Sequence, residues 1–492
     1  MRRAISRALD LVTRSGVQYM VLELPTGYGK TVAGPRLYRA YREAGLCWRA
    51  IHVFPLRAIL HKTLSRYVQE HQDIEFTYQD GDVTLRKRYV KDPYFRGEYV
   101  LTTLDSFVHN LLRVPVAEMH KFLEKHLRSV HYHIPFAYIY PSCVFFDEAH
   151  IAAQDETGKA LTALKASLEV LRGAEVPVIV MSATLGGWKR EFFRDFTFIE
   201  LGDRDEEEEG RIVVHDDEFE RMFSQTKYSV EVIDEAEVEK SARKEMEKGR
   251  RVLVIINNIQ KAVDLAKSLG AVLIHSMLTR EDRQRAESML DRARVVVGTS
   301  AIEAGVDVSF DVLITSADVA ESVVQRIGRV CRYGGPCEGK IYLFGKNAET
   351  YASVKEWRLP YREDSYVGLL RGEVEWEQGL YWLLKQVSGF IHVPPEELRK
   401  AYLKSGASFV RSALIEVCRD APPSPENCFT AALSKAAELP VSAAVAGNCR
   451  HEPPPRCGDA KECVKWLVDA VERCREVPKL ILEKYTPGYG PF

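Results

Sequence analysis

Short hydrophobic runs alternate with amphipathic stretches through about the first 350 residues of the chain. Runs that are rich in β-branched and aromatic residues predict strands, and stretches with a helical spacing of hydrophobic residues predict helices. Several runs are hydrophobic at every position, which is typical of strands that helices cover on both faces. The regular alternation therefore predicts parallel sheets built from β-α-β units.

The predicted strands fall into two blocks. In the first block they are Tyr19–Leu24, Ile51–Phe54, Tyr99–Thr102, Cys143–Asp147 and Val178–Met181. In the second block they are Val252–Ile256, Val272–Ile274, Val295–Gly298, Asp311–Thr315 and Ile341–Phe344. Helices are predicted between them, for example over Gln260–Leu269 and Arg280–Leu290. Two blocks of this kind predict two α/β domains in tandem.

The acidic run Asp203–Glu209 interrupts the pattern and is interpreted as a solvated loop between the two domains. Beyond about residue 350 the pattern becomes helical and aromatic, and then rich in proline and cysteine. We therefore predict three regions. A first α/β domain covers residues 1–205, a second covers 206–348, and a mainly helical accessory region covers 349–492.

Length and charge narrow the class of protein. A chain of 492 residues is long enough for two or three domains. Its formal net charge of -2 means that any nucleic acid must be held by a local basic track. No hydrophobic run reaches the ~18 residues of a membrane span, and the first residues do not resemble a signal peptide. We expect a cytoplasmic protein without a membrane partner.

The ten cysteines are expected to be buried, reduced thiols, as is usual in a large intracellular enzyme. Several of them crowd the C-terminal region, but they form no Cys-x-x-Cys pair. A zinc ribbon therefore has little support, and we expect no stoichiometric metal there. Disulfides are the alternative if the source is a hyperthermophile.

A phosphate-binding loop follows the first predicted strand. Such a loop needs glycines that let backbone N–H groups turn towards the phosphates, a lysine for the β- and γ-phosphates, and a hydroxyl for magnesium. Thr26, Gly27, Gly29, Lys30 and Thr31 supply these groups at the start of a predicted helix. We therefore predict that these five residues bind ATP and that Lys30 is also catalytic.

Two carboxylates close the strand that is predicted over Cys143–Asp147. Asp147 is suited to hold magnesium together with Thr31, and Glu148 to polarise the attacking water. A solvated acidic turn is the alternative for this pair, and the phosphate loop upstream argues against it. The segment Ser182–Thr184 supports the same site through its place in the order of motifs.

The second block contains an arginine-rich segment, Gln325–Arg332. Arg329 and Arg332 are predicted to be arginine fingers that neutralise charge at the γ-phosphate, an effect worth about 10³–10⁵ in rate. A surface helix held by salt bridges is the alternative. Because the fingers and the phosphate loop lie on different domains, hydrolysis would require the cleft between the domains to close.

Polar residues at the ends of several predicted strands lie on the same sheet edge as the catalytic loops. Arg57, Thr102, Thr103 and Thr299 are candidates for contacts with the phosphates of a single strand, independent of its base sequence. The short basic run Arg86–Arg88 is interpreted as a solvated surface.

In this order, the motifs resemble those of superfamily 2 helicases over about residues 20–345. The segments Asp147–His150, Val178–Leu185 and Gln325–Gly334 make the chain most similar to the helicase portion of Cas-three, the CRISPR-associated helicase–nuclease of type I interference systems. The resemblance implies two RecA-like domains that hydrolyse ATP between them. It also implies movement along single-stranded DNA from 3′ to 5′ and recruitment by the RNA-guided complex Cascade.

The resemblance also implies roles for individual residues. Gln325 would help to position the attacking water, and Gly305 and Asp307 would contact the nucleotide. The glutamine that reads adenine in this family has no clear counterpart, so the resemblance assigns no residue to the base. Cys331 stands where an asparagine is common in the family.

A histidine–aspartate nuclease domain is not predicted within the chain. The phosphate loop begins near the N-terminus, and the dipeptide His215-Asp216 lies near the interdomain boundary. The histidines His120, His126, His131 and His133 are interpreted as part of a helix and loop insertion rather than a metal site. We expect the split form of the family, a helicase subunit that works with a separate nuclease subunit.

Three other classes of protein are alternatives. A DEAH-type RNA helicase has the same ATPase motifs and differs in substrate, and a DNA-repair or restriction translocase differs in its independence from a guide-RNA complex. A scaffold that binds nucleic acid without hydrolysis would not need the full set of Lys30, Asp147, Glu148 and Arg332. The main prediction is an ATP-dependent DNA helicase or translocase with ATP and magnesium as cofactors.

Overall fold

The computed structural model describes residues 1–81, 88–124, 130–155, 157–303, 308–388, 393–457 and 460–492. Within these ranges the strands form three sheets, with nine, six and five strands. None of the described helices is both long enough and apolar enough to cross a membrane.

Nine strands form the sheet of the first domain. In chain order they are β1 (Tyr19–Glu23), β2 (Arg49–Phe54), β3 (Phe76–Gln79), β4 (Tyr99–Thr103), β5 (Ser142–Asp147), β6 (Val178–Ser182), β7 (Thr197–Leu201), β8 (Glu206–Glu208) and β9 (Arg211–Val214). They lie side by side in the order β3-β4-β2-β5-β6-β1-β7-β9-β8, and all neighbours are parallel except β8 and β9. The helices of this part are α1 (Arg3–Ser15), α2 (Lys30–Glu43), α3 (Arg57–Glu70), α4 (Leu104–Leu111), α5 (His133–Ile139), α6 (Lys159–Gly173), α7 (Lys189–Phe192) and α8 (Asp217–Phe223).

Helices cover this sheet on both faces, as its fully hydrophobic strands predict. Val144 and Phe146 of β5 are buried in one hydrophobic core with residues of α4 and α6. Cys143 and Phe145 are buried in another core with residues of α2 and α3. Because successive side chains of a strand point to opposite faces, the two cores together fix the strand ends, where the candidate site lies.

The predicted boundary between residues 205 and 206 is too early. The acidic run was expected to be a loop, but Glu206–Glu208 forms β8, which pairs with β9, and β9 pairs with β7 of the first sheet. Charged side chains are common on an edge strand because they discourage pairing with other chains. The first sheet therefore ends at Val214, and the second begins at Thr226.

Six parallel strands form the sheet of the second domain. They are β10 (Thr226–Val232), β11 (Val252–Ile255), β12 (Val272–Ile274), β13 (Val295–Gly298), β14 (Val312–Ser316) and β15 (Cys337–Phe344). Their order is β10-β15-β14-β11-β13-β12. The helices are α9 (Val238–Glu247), α10 (Ile259–Leu269), α11 (Arg280–Met289), α12 (Ala320–Ile327) and α13 (Ala348–Ala352). Two parallel-sheet domains in tandem are therefore confirmed.

The C-terminal region holds helices, as predicted, together with a mixed sheet that was not predicted. The helices are α14 (Gln378–Ser388), α15 (Pro395–Lys404), α16 (Leu433–Ala436) and α17 (Ala460–Cys474). The strands are β16 (Leu414–Cys418), β17 (Cys428–Ala432), β18 (Val441–Ala446), β19 (Cys449–His451) and β20 (Lys479–Leu482), in the order β17-β16-β20-β18-β19. The region contacts both domains, since Tyr381 donates to Glu169 at 2.6 Å and Arg280 pairs with Glu416 at 2.6 Å.

Eight of the ten cysteines form disulfides, which corrects the expectation of reduced thiols. The pairs are Cys331–Cys337, Cys418–Cys428, Cys449–Cys474 and Cys457–Cys463. Cys418 and Cys428 lie opposite each other on the paired strands β16 and β17, a closeness that their spacing in the sequence does not reveal. Cys47 and Cys143 are free thiols and are buried.

The disulfides predict a thiol count. When the chain is unfolded without reductant, two thiols should react with a thiol reagent, those of Cys47 and Cys143. Replacing Cys449 with Ser should destabilise the C-terminal region by about 3 kcal/mol, because the Cys449–Cys474 bond restricts the unfolded chain. For the thiol count, the control is the reaction of the same reagent with the fully reduced chain. Ten reactive thiols without reductant would contradict the pairing.

Candidate active site

The phosphate loop and the acidic pair meet at one edge of the first sheet. Strands β1, β6 and β5 are parallel neighbours, so their C-terminal ends lie side by side. Glu23 at the end of β1 is level with Ser182, and Asp147 at the end of β5 is level with Met181. The loops that follow these strands are therefore close together, as their order in the sequence predicts.

The loop Pro25–Gly29 is shaped to receive an anion. Gly27 and Gly29 have φ angles of 84° and 99°, in the left-handed region that favours glycine. Lys30 is the first residue of α2, and its buried ammonium donates to the backbone carbonyl oxygens of Leu24 and Pro25 at 2.6 and 3.2 Å. The N-terminus of α2 and the Lys30 charge therefore both favour an anion at this place.

The side chains of Thr31 and Asp147 are in contact beside this loop. Thr31 Oγ1 donates to Asp147 Oδ2 at 2.6 Å. Magnesium prefers oxygen ligands and is usually held by one or two carboxylates together with phosphates and water. A hydroxyl and a carboxylate in contact next to a phosphate loop fit this preference, so the residues present suit the predicted ion.

Neighbouring groups keep Asp147 ionised although it is buried. Burial alone would raise the pKa of the Asp147 carboxyl, but His52, the Thr31 hydroxyl and the charge of Lys30 outweigh burial and hold that pKa below its usual value. For Lys30, burial lowers the pKa, and the charges of Glu148 and Asp147 oppose this effect. The opposite charges therefore stabilise each other in a site that largely excludes water.

Glu148 has the properties of a general base. Its φ of 47° lies in the left-handed region, and its N–H donates to Asp147 Oδ1 at 2.9 Å. Burial raises the pKa of its carboxyl, and the charge of Lys30 opposes the rise. Its oxygen Oε2 is buried and has no hydrogen-bond donor within the described ranges. A carboxylate of this kind is suited to take a proton from a bound water.

His150 connects the acidic pair to the segment Ser182–Thr184. Its Nδ1 lies 3.0 Å from Ser182 Oγ and 3.4 Å from Glu148 Oε2. Burial and the charge of Lys30 lower the pKa of His150 to about 3, so the ring is neutral at neutral pH and adds no positive charge beside Glu148. The short Ser182–Thr184 motif is therefore joined to the site by the contact between His150 and Ser182.

The second domain contacts the phosphate loop through α12. Thr26 Oγ1 donates to Gln325 Oε1 at 3.3 Å. Gly328, directly after α12, is so close that an added Cβ would lie 3.4 Å from the Thr26 methyl. Gln325 Nε2 is buried and has no hydrogen-bond acceptor among the residues that the structure describes. Such an amide is suited to bind a water or a phosphate oxygen at the cleft.

The three arginines of the segment Gln325–Arg332 have different surroundings. Arg326 is 2% exposed and pairs with Glu303 at 2.7 Å. The Arg329 guanidinium donates to the backbone carbonyl of Glu303. Against the larger effect of burial, the charges of Arg329 and Arg332 both lower the pKa of Glu148. The two predicted fingers therefore lie near the acidic pair, on the other side of the cleft.

A cavity of about 1300 Å³ lies where the two domains and the C-terminal region meet. Of the residues predicted to contact nucleic acid, Arg57, Thr103 and Thr299 line it. In the described part of its wall, six basic side chains outnumber four acidic ones. The basic residues are Arg57, Lys62, Lys91, Arg280, Arg283 and Arg411. Three of the six are in ion pairs, Arg280 with Glu416, Arg283 with Glu287 and Arg411 with Asp105, so the positive excess of this lining is small.

Thr102 is not part of this cavity wall. Its side chain is fully buried, and its hydroxyl donates to the backbone carbonyl of Gln79 at 2.8 Å. Successive residues of β4 point to opposite faces of the sheet, so Thr102 and Thr103 cannot both face the cavity. The structure therefore does not support a nucleic-acid contact for Thr102.

Some predicted residues lie outside the described part of the chain, and their roles stay predictions. They are Arg86, Lys87, His126, Gly305 and Asp307. Another member of the predicted histidine insertion, His131, lies with its Nδ1 2.8 Å from Glu118 Oε1 and is therefore engaged in an ordinary side-chain contact.

Sequence reasoning missed two buried residues behind the site. His52 of β2 has its Nε2 3.6 Å from Asp147 Oδ2. Tyr67 of α3 donates its hydroxyl to the backbone carbonyl of Thr31. The one signal that could have indicated His52 is a histidine within the otherwise hydrophobic predicted strand Ile51–Phe54.

Two sequence families match separate parts of the chain. The DEAD/DEAH box helicase family matches residues 3–192, which include the phosphate loop and the acidic pair. The family described as CRISPR-associated nuclease/helicase Cas3, C-terminal, matches residues 248–335, which include Arg329 and Arg332. The two matches follow each other in the order of the two domains.

Curated proteins named as CRISPR-associated Cas3 helicases are also similar to the chain in sequence. The chain is 28% identical over 355 residues to the CRISPR-associated helicase Cas3 of Thermoproteus tenax, a match that covers 68% of this chain and 58% of that protein. It is 26% identical over 349 residues to the CRISPR-associated nuclease/helicase Cas3 of Methanothermobacter thermautotrophicus, covering 64% of this chain and 39% of that protein. The chain therefore spans about half the length of these relatives.

Solved structures confirm the fold. The structure of T. fusca Cas3 with ADP matches with a TM-score of 0.57 and 13% identity, covering 98% of this chain and 64% of that chain. The DUF1998 helicase MrfA bound to DNA also matches with a TM-score of 0.57, at 14% identity, covering 90% of this chain and 63% of that chain. The predicted α/β fold with two parallel-sheet domains is therefore confirmed, and its first domain matches the DEAD/DEAH box helicase family in sequence.

Proposed function

Because residues 3–192 match the DEAD/DEAH box helicase family and residues 248–335 match a Cas3 family, we propose that the chain is a helicase that uses ATP to move along single-stranded DNA in type I CRISPR interference. One observation carries the proposal. The phosphate loop is in contact both with the acidic pair of its own domain, through Thr31 and Asp147, and with the second domain, through Thr26 and Gln325. This arrangement links ATP chemistry to the relative position of two domains.

Residues of the first domain bind ATP and activate water. Lys30 and the amides at the start of α2 hold the phosphates. Thr31 and Asp147 would hold magnesium, which neutralises phosphate charge when it is bound. Glu148 accepts the proton of the attacking water, and Gln325 orients that water from the second domain.

Residues of the second domain complete the site when the cleft closes. Arg329 and Arg332 neutralise the charge that develops on the transferred phosphoryl group. They can do so only while the two domains are close together. Because the walls of the basic cavity come from the same two domains, closing and opening of the cleft moves these walls relative to each other and shifts a bound strand.

The basic cavity is the proposed path of the DNA strand. Its basic lining favours the phosphates of a polyanion independently of base sequence. Arg57 begins α3 and has its Nη1 3.0 Å from Thr430 Oγ1 of the C-terminal region. Arg57 and Thr430 therefore mark a point at which both the first domain and the C-terminal region border the strand.

Replacing Arg57 with Ala should weaken binding of single-stranded DNA and make it less sensitive to salt. The loss of one phosphate contact is expected to reduce the slope of log affinity against log salt concentration by about 0.7. Fluorescence anisotropy with a labelled oligonucleotide at several salt concentrations measures both quantities. Arg39→Ala is the matched control, because Arg39 is also in the first domain but pairs with Asp73 away from the cavity. An unchanged slope for Arg57→Ala would exclude Arg57 from the path.

The partners of the chain are also proposed from the resemblance. We assign its recruitment to an RNA-guided Cascade complex, the cutting of DNA to a separate histidine–aspartate nuclease, and its place to the cytoplasm. In the His215-Asp216 dipeptide of this chain, Asp216 has structural partners. It accepts hydrogen bonds from the Tyr28 hydroxyl and from the Phe219 N–H at the start of α8.

A further inference from the structure

His52 is a titratable side chain that is buried inside a hydrophobic strand. It lies in β2, has no exposed surface, and its ring stacks on Phe54 with the centroids 4.3 Å apart. Its Nδ1 lies 2.9 Å from the Tyr99 hydroxyl and 3.4 Å from the Tyr67 hydroxyl. Because a buried polar ring costs free energy unless it is hydrogen-bonded, these contacts account for one of its two nitrogens.

The other nitrogen points at Asp147, the proposed magnesium ligand. His52 Nε2 lies 3.6 Å from Asp147 Oδ2, and it has no hydrogen-bond partner among the described residues. This distance is slightly longer than a hydrogen bond. If the two side chains moved about half an ångström closer, His52 Nε2 and Asp147 Oδ2 would form a hydrogen bond.

Tyr67 connects the same cluster to the phosphate loop. Its side chain is fully buried, and its hydroxyl donates to the backbone carbonyl of Thr31 while lying near His52 Nδ1. Thr31 is the residue whose hydroxyl contacts Asp147. Tyr67 therefore contacts the backbone of Thr31, one proposed magnesium ligand. His52 faces the carboxylate of Asp147, the other one.

One helix joins this cluster to the basic cavity. Helix α3 begins at Arg57, which lines the cavity, and it carries Tyr67 ten positions later. At a rise of 1.5 Å per residue, the two side chains are separated by about 15 Å along the helix. A change in the position of α3 at the cavity therefore reaches Thr31 through a single rigid element.

Helix α2 is packed too closely against the cluster to absorb such a change. An added Cβ at Gly34 of α2 would lie 2.7 Å from both the Tyr67 and the Tyr99 hydroxyls and 3.0 Å from His52 Cε1. Glycine is thus the residue that lets the helix behind the phosphate loop rest directly on these three side chains. Close-packed groups of this kind transmit displacement, because little free space separates them.

We propose that His52 and Tyr67 are positioning residues that couple occupation of the basic cavity to the geometry of Thr31 and Asp147. A strand that contacts Arg57 shifts α3, and the Tyr67 hydroxyl and the His52 ring pass the shift to the two magnesium ligands. The inference rests on the proposed function, since it concerns how nucleic acid stimulates ATP hydrolysis at that same site.

The test compares two buried tyrosines that each lose only a hydroxyl. Tyr67→Phe removes the bond to Thr31 and leaves the ring in place. Tyr41→Phe is the matched control, because Tyr41 of α2 is equally buried and its hydroxyl has no hydrogen-bond partner in the described part of the chain. For each purified chain, ATP turnover is measured with and without single-stranded DNA, together with DNA affinity and the melting temperature.

Tyr67→Phe is expected to lower the ratio of DNA-stimulated to basal turnover by about tenfold or more, with DNA affinity within twofold of wild type. Tyr41→Phe should keep the wild-type ratio. Equal ratios for the two variants, with a wild-type chain that DNA does stimulate, would overturn the coupling and leave the proposed function intact. A wild-type chain that DNA does not stimulate would overturn both.

His52 is tested by the magnesium concentration that gives half-maximal turnover. His52→Phe keeps an aromatic ring in the cluster but removes both nitrogens, and it should raise this concentration severalfold. His52→Gln restores an N–H donor on a shorter side chain and should recover part of the loss. A purely packing role predicts the opposite order, with His52→Phe close to wild type, and that result would overturn the assignment of His52.

Discussion

Replacing Glu148 with Gln is expected to abolish ATP turnover while leaving ATP binding close to that of the wild-type chain. The substitution keeps the size of the side chain and the phosphate loop but removes the carboxylate that accepts a proton from the attacking water. General-base catalysis by a side chain contributes about 10²–10⁴ in rate. Burial, which raises the pKa of Glu148, makes this carboxylate a stronger proton acceptor than an exposed one. Steady-state turnover and ATP binding at equilibrium measure the two effects separately.

A glutamate at the opposite end of the strands of the same sheet supplies the control for this variant. Glu98 directly precedes β4, at the end of the sheet opposite the phosphate loop, and it pairs with Arg42. Glu98→Gln should therefore keep the wild-type turnover rate. Turnover by Glu148→Gln at the wild-type rate would show that another group activates the water.

Arg332→Ala is expected to lower the turnover rate by about 10²–10⁵ while binding of DNA and ATP persists. The guanidinium acts on charge that develops mainly in the transition state, so its loss affects the rate more than ground-state binding. Arg329→Ala should have an effect in the same range, with an added structural cost, because Arg329 also donates to the backbone carbonyl of Glu303. Single-turnover hydrolysis gives the rate of the chemical step directly.

Arg326→Ala separates a finger from a structural arginine in the same segment. Arg326 is buried and pairs with Glu303, and breaking a buried pair on one side costs about 3–5 kcal/mol. This variant should lose stability as well as activity, and its loss of stability should exceed that of Arg332→Ala. If Arg332→Ala lost DNA binding, stability and turnover together, its role would be structural.

The parts of the site that could be predicted are those whose chemistry is contiguous in the sequence. The phosphate loop Pro25–Thr31 needs particular residue types at fixed spacing, so it is recognisable without a structure. The acidic pair follows a fully hydrophobic strand, and parallel strands bring their C-terminal ends to one edge. The contact of Thr31 with Asp147 therefore follows from the order of the motifs, although 116 residues separate the two positions.

The parts that could not be predicted depend on contacts between distant segments. An acidic run such as Glu206–Glu208 has low β-propensity and forms a strand only because β9 lies beside it. The strand Val441–Ala446 contains three alanines and gives an equally weak signal, so the C-terminal sheet was missed. His52 resembles an ordinary strand residue until the structure places Asp147 and Tyr67 around it.

The side on which a polar residue faces is also difficult to predict at a strand end. Thr102 and Thr103 are adjacent in the sequence and were given the same role, but the pleat of β4 turns them to opposite faces. A slip of one residue in the predicted strand reverses the assignment. The orientation of the Thr103 side chain depends on its position as the N-cap residue of α4, where its hydroxyl accepts from the Ser106 N–H at 3.4 Å.

The central claim is that the cleft hydrolyses ATP in response to a nucleic acid bound across both domains. The most direct test is ATP turnover by the purified chain with magnesium, measured alone, with single-stranded DNA, and with RNA of the same base sequence. We predict turnover that requires magnesium and rises at least severalfold with DNA, and more with DNA than with RNA. Turnover that neither nucleic acid changes, or no turnover at all, would contradict the account.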